Sequence, residues 1–172
     1  MKLTAGDKAP EQVNVLIEVP MDSRVKYEFD KENEVIAVDR FLFFDKGYPA
    51  NYGFIPQTLS GDGDPVDVLV LSPLPVAPGT MMTVFPIGML ETEDEKGQDA
   101  KLVAVPSEKV NPEFGKYKDI SELPSEITEK IKFFFENYKK NEPGKWVKVS
   151  GWKNKDAALE EIKTGIENAK NH

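Results

Sequence analysis

The sequence predicts an α+β fold, mainly β. Short apolar segments separated by close turns fill roughly its first two thirds, and two stretches of helical periodicity fill its last third. Strands and helices do not alternate along the chain, which argues against a parallel α/β sheet. Several short strands with close turns fit a small closed barrel or a sandwich.

Residues 13–19 read as the first strand. Over residues 24–30, Val25, Tyr27 and Phe29 alternate with Arg24, Lys26, Glu28 and Asp30, the period-2 pattern of a strand. Lys31, Glu32 and Asn33 make a turn, and residues 34–41 return as the second arm of a hairpin. Residues 41–56 are aromatic but carry Gly47, Pro49, Gly53 and Pro56, so they are expected to be irregular. A short strand is expected over 66–71, a proline-rich connection over 73–78, and partner strands over 80–90 and 100–105 joined through 91–98. From 125 to 140, Ile127, Ile131, Phe134, Phe135 and Tyr138 form one apolar helical stripe, started by Pro124 and Ser125. A second helix is expected from about 156 to 170, with Leu159, Ile162, Ile166 and Ala169 inward. Repeats and linkers are absent, so residues 1–172 are read as one domain.

Composition removes several classes of chemistry. The 172 residues carry a formal net charge of −8, a poor surface for nucleic acid or an anionic membrane. Cysteine is absent, which excludes thiol catalysis and zinc–thiolate sites, and the single histidine is His172. Chemistry therefore falls to carboxylates, lysines, arginines and tyrosines. The polar first dozen residues lack the apolar core of a signal peptide, and no stretch approaches a membrane span, so a cytoplasmic location is expected.

The densest chemical signal is Gly61-Asp62-Gly63-Asp64-Pro65-Val66-Asp67. Two like charges ~4 Å apart repel by about 4 kcal/mol at an effective dielectric of ~20. Divalent cations would turn that repulsion into binding, and hard oxygen ligands suit Mg²⁺, Mn²⁺ or Ca²⁺. Asp62 and Asp64 share a face if the chain is extended, and Gly63 and Pro65 allow the bend that brings Asp67 round. Asp94 and Asp99 flank a second turn, and Lys101 shares the parity of Asp99. Lys26, Arg40 and Lys139 are suited to phosphate oxygens, and Tyr48, Tyr52 and Tyr138 to donating hydrogen bonds. Plain structural roles stand beside these: a solvated acidic turn, an exposed hairpin at 94–99, a polar strand face for Lys26 and Glu28, and core positions for the tyrosines. An EF-hand fails, because counting from Asp62 puts Val66 fifth and Pro73 twelfth. No G-x-x-x-x-G-K-[ST] phosphate loop occurs.

From about residue 10 onward the chain resembles the family I soluble inorganic pyrophosphatases of bacteria and archaea. Asp62-Gly63-Asp64-Pro65-Val66-Asp67 is similar to that family's signature D-[SGDN]-D-[PE]-[LIVMF]-D. Tyr48-Pro49-Ala50-Asn51-Tyr52-Gly53, Lys26-Tyr27-Glu28, Val38-Asp39-Arg40-Phe41 and Phe134-Phe135-Glu136-Asn137-Tyr138-Lys139 match as well. The resemblance implies an OB-like five-stranded closed barrel with two main helices packed outside. It implies Mg²⁺-dependent hydrolysis of pyrophosphate to two orthophosphates, several ions per site, with Mn²⁺ or another divalent metal as a substitute. Carried across, Asp62, Asp67, Asp94 and Asp99 would hold metal, Glu28 would serve a further ion through water, and Asp64 would be the general base. Lys26, Arg40, Tyr52, Tyr138 and Lys139 would bind phosphates, with Lys26, Arg40 and Tyr52 counted among the catalytic groups. Glu18, Tyr48 and Lys101 would complete the pocket. A homohexamer is implied, with no nucleic-acid or membrane partner. The chain departs from the pattern at Phe133 and Asn137, in a stretch where histidines often occur. A nucleotide-directed metal phosphohydrolase and an OB-like single-strand-binding module are the other readings. The second conflicts with the charge of −8.

Overall fold

The computed structural model describes residues 3–172. In chain order the elements are β1 (Val13–Val19), β2 (Val25–Asp30), β3 (Val35–Phe41), β4 (Asn51–Phe54), β5 (Asp67–Val70), β6 (Met81–Asp94), β7 (Gly97–Gln98) and β8 (Lys101–Val105). There follow α1 (Pro112–Gly115), a 3₁₀ turn (Ile120–Glu122), α2 (Ser125–Asn137), β9 (Val147–Lys153) and α3 (Lys155–Lys170).

Strand β1 pairs with β4, β4 with β5, β5 with β8, β8 with β6, and β6 with β1, so five strands close on themselves. Four of these pairings are antiparallel, and β5–β8 is parallel, with Asp67 opposite Lys101. Closure removes the free edges that an open sheet would expose. The expected five-stranded ring with helices against it is what the structure shows.

Side-chain alternation divides the interior in two. Leu69, Leu71, Val103 and Val105 point into a cluster with Ile131, Phe134 and Phe135 of α2. Val68, Val70, Leu102 and Ala104 point to the other cluster, closed by Ala158 and Ile162 of α3. β5 and β8 are therefore apolar on both faces over these positions. Asp67 and Lys101, which begin them, share the parity of the α2 side.

Three expectations need correction. Residues 51–54 are not irregular: they form β4, buried throughout, so no polar alternation marks it. Gly53 permits rather than breaks this strand, since a Cβ there would lie 2.0 Å from the Leu16 carbonyl oxygen of β1. A ninth strand between the helices went unpredicted. β9 pairs with residues 89–94 of β6 across a bulge, and β6 runs on to Asp94 rather than stopping at 90. In α3, Ala158, Ile162 and Gly165 are the buried residues, while Leu159, Ile166 and Ala169 border that stripe half-buried. Within residues 3–172 no helix is long and apolar enough to cross a membrane.

Candidate active site

The ring and the separate β2–β3 hairpin face one another across a cleft of about 430 Å³. All the residues singled out from sequence line it except Tyr48. Tyr48 lies behind, 1% exposed, its ring 5.2 Å from that of Tyr52 and 4.8 Å from that of Phe134. It supports the wall. Tyr27, Lys31, Glu95, Lys96 and Lys145 also line the cleft and were not anticipated.

The acidic loop is held from within and from below. The Asp64 amide donates to Asp62 Oδ1 at 3.0 Å, the Ser60 amide to the Asp64 carbonyl at 2.7 Å, and Gly63 turns the chain at φ +87°. The Val66 amide donates to Thr58 Oγ1, and the Leu59 amide to the Gly165 carbonyl of α3. Asp64 is exposed, and Asp62 and Asp67 are half-buried. Burial first, then the nearby Asp99 and Asp64 charges, raise the Asp62 carboxyl against the amide bond that lowers it.

Lys101 ties the floor together. Its Nζ is 2.7 Å from Asp99 Oδ2 and 2.8 Å from Asp67 Oδ2, and donates to Tyr52 Oη at 2.9 Å, a partner for each of its three protons. The ammonium also lies 5.2 Å from the Tyr52 ring centre and 5.5 Å from that of Phe135. Burial alone would discharge it, but the Asp67 and Asp99 charges outweigh that and hold it well above its usual range. Burial, then the Asp67 charge, push the Tyr52 phenol well above its own.

Asp94 and Asp99 are not an exposed hairpin pair. Both are buried at the mouth of β7, within the cleft. The Lys96 amide donates to Asp94 Oδ1 at 2.9 Å and Lys139 Nζ to Oδ2 at 3.3 Å. Against the effect of burial, these bonds and the Lys139 charge keep the Asp94 carboxyl below its ordinary value. The hairpin supplies the opposite wall. Lys26 faces Arg40 across β2–β3. Burial, then the Arg40 charge, depress the Lys26 amine, while Asp39, 3.5 Å away, pulls the other way. Glu18 of β1 accepts the Phe29 amide at 2.8 Å and is pushed to about 7, mainly by burial.

Oxygen donors suited to hard cations thus crowd the floor, with Lys101, Lys139 and Tyr52 among them, while Lys26 and Arg40 approach from the hairpin. Asp99 Oδ1 is buried without a hydrogen-bond partner, and the acidic residues outnumber the cations that reach them. That donor chemistry fits Mg²⁺. Among the described residues, no three carboxylates stand close enough to form a ready ion cage. Lys101 and Lys139 are the charges found on these carboxylates.

The structure is thus a closed five-stranded ring whose carboxylate floor lies across a cleft from a hairpin bearing Lys26 and Arg40. The inorganic pyrophosphatase family model matches residues 15–170. The inorganic pyrophosphatase of Aquifex pyrophilus is 58% identical over 168 residues, covering 98% of this chain and 95% of that one. That of Escherichia coli is 49% identical over 172 residues, covering 99% and 98%. The crystal structure of the Thermus thermophilus inorganic pyrophosphatase superposes with a TM-score of 0.93 at 46% identity, covering 98% and 97%. The chain belongs to the inorganic pyrophosphatase family.

Proposed function

We propose that this chain hydrolyses inorganic pyrophosphate to two orthophosphates, using water activated beside Asp64 and Mg²⁺ held by the Asp cluster. Full-length family membership supports the substrate. The observation that carries the site assignment is that Asp62, Asp64, Asp67, Asp94 and Asp99 share one cleft with Lys26, Arg40, Tyr52, Tyr138 and Lys139. A carboxylate floor of this kind repels a naked polyanion, so the reading requires cations between floor and substrate.

Asp62, Asp67, Asp94 and Asp99 would hold the ions, with Glu28 at the margin; Mn²⁺ or another divalent ion would substitute. When bound they supply neutralisation of phosphate charge and activation of the attacking water. Asp64 is exposed and, among the described residues, carries no lysine partner, which suits it to take the proton from that water. Lys26 and Arg40 meet the phosphate oxygens from the hairpin, Arg40 with a forked donor edge. Lys139 and Tyr138 meet them from the end of α2. Lys101 keeps Asp67, Asp99 and Tyr52 in register, so its role is to position. Much of the catalysis then comes from placing two anionic partners together in a preorganised field.

Homohexameric assembly belongs to the same reading. Phe41, Phe43, Phe133 and Trp146 are large apolar side chains left exposed on one protomer. Phosphate release from pyrophosphate, with and without Mg²⁺ and beside ATP, tests the function. Release that needs Mg²⁺ and greatly favours pyrophosphate is expected. Equal release from ATP would move the assignment to a general phosphohydrolase, and no release from folded protein would overturn it.

A further inference from the structure

Glu142, in the loop after α2, is only 7% exposed and is not among the residues assigned to metal or phosphate. Its Oε1 lies 3.0 Å from Arg40 Nε and 3.3 Å from Lys145 Nζ. Glu142 thus joins a cation of the β2–β3 hairpin to a cation of its own loop, both of them lining the cleft. The loop is tied to the residues that carry chemistry at its start, since the Glu142 amide donates to the Lys139 carbonyl at 3.0 Å. A second link lies alongside: Asn141 Nδ2 donates to the Phe43 carbonyl at 2.9 Å, just beyond β3.

Stability does not account for this arrangement. A buried ion pair seldom repays its desolvation unless the remaining polar atoms are satisfied. Here they are not. Arg40 Nε and Glu142 Oε1 are close but poorly aligned for a hydrogen bond, and Arg40 Nη2 and Glu142 Oε2 are buried without a partner. Unsatisfied buried polar atoms of this kind call for a role beyond packing. The competing partner for Arg40 is Asp39, whose Oδ2 is 3.2 Å from Nη1 and also 3.5 Å from Lys26 Nζ. Asp39 sits more exposed, on the hairpin itself, so it cannot fix the guanidinium relative to the rest of the molecule. Glu142 can, because it reaches Arg40 from the body of the protein.

We propose that Glu142 is a positioning residue that fixes the Arg40 guanidinium, and through it the open end of the β2–β3 hairpin, in the place where it meets phosphate. The inference rests on the pyrophosphatase reading. Glu142 touches neither substrate nor metal, and its effect passes through Arg40. Removing it leaves Arg40 to Asp39, which turns the donor fork away from the cleft and weakens binding more than turnover.

The test is steady-state pyrophosphate hydrolysis by wild type, Glu142→Ala, Glu142→Gln, Arg40→Ala and the Glu142→Ala/Arg40→Ala double variant, each with its melting temperature. Glu142→Ala should raise KM about tenfold with kcat changed less than about threefold, as expected when one charge-assisted contact is lost from binding. Glu142→Gln, which keeps an oxygen near Arg40, should restore part of the affinity and serves as the folded variant if alanine is not tolerated. The double variant should show the KM of Arg40→Ala alone, because a positioning residue has nothing left to position. An unchanged KM in folded Glu142→Ala and Glu142→Gln, or effects that simply multiply in the double variant, would overturn the proposal. Wild type that releases no phosphate from pyrophosphate would overturn the functional reading and this inference with it.

Discussion

The two walls of the cleft are held in different ways. On the floor, Asp67 and Lys101 are the first residues of β5 and β8, side by side on neighbouring strands of the ring, and the strands behind them are buried on both faces. On the opposite wall, Lys26, Glu28 and Arg40 ride on a two-stranded hairpin outside the ring, most of whose β3 is exposed. The floor takes its geometry from a packed core, and the hairpin takes its own from two aromatic contacts, Phe29 with Phe54 and Tyr27 with the core, and a few polar ones: Glu18 with the Phe29 amide, Arg24 with the Phe44 carbonyl, and Glu142 with Arg40. Asp67, Asp94 and Asp99 of the floor therefore sit where movement is costly, and Lys26 and Arg40 sit where less packing resists it.

The contrast breaks most severely at the ring. Gly53→Ala should lower stability by more than about 4 kcal/mol, or prevent folding, because the new Cβ meets backbone rather than a flexible side chain. Denaturant unfolding measures this, and a loss under 1 kcal/mol would show that the ring yields more than its packing suggests.

At the floor itself, Asp67→Asn should reduce Mg²⁺-dependent turnover by about a thousandfold or more while the protein stays folded. Asp99 remains on Lys101 in that variant, so the buried ammonium keeps one carboxylate partner. Near-normal turnover by well-folded Asp67→Asn would remove Asp67 from the metal site.

Glu18 sits on the border between the two walls and gives the smallest and most graded effect. Its carboxyl titrates near 4.5 unfolded and at about 7 folded. The folded state therefore holds the proton more tightly, and the stability this contributes is full below pH 4.5 and lost as pH rises through 7. The shift corresponds to about 3 kcal/mol. Glu18→Gln should remove that slope, so that unfolding without divalent ions becomes less pH-dependent between 4.5 and 7. Parallel pH profiles for the variant and wild type would contradict it.

The sequence made much of this legible, unevenly. The acidic loop could be read because its ligand types, glycine and proline fall within seven residues, and its turn is set by local bonds such as the Asp64 amide to Asp62. The helices showed their period. β4 could not be read, since four buried residues, Gly53 among them and Pro49 and Pro56 close on either side, leave no alternation. β9 hid because its bulge near Gly151 interrupts the alternation and none of its residues is buried. The pairing of Lys101 with Asp67 spans 34 residues and depends on a parallel register that no local pattern encodes. Glu142 lies in Asn-Glu-Pro-Gly, which reads as an ordinary turn until Arg40 is seen beside it.

The claim that the Asp cluster of the ring holds cations while Arg40 of the hairpin meets phosphate is tested most directly by calorimetric titration of Mg²⁺ into metal-free wild type, Asp67→Asn and Arg40→Lys. Arg40→Lys should bind Mg²⁺ as wild type does, while Asp67→Asn loses at least about tenfold in affinity. Equal loss in both variants, or wild-type affinity in Asp67→Asn, would contradict the division of the cleft into these two walls.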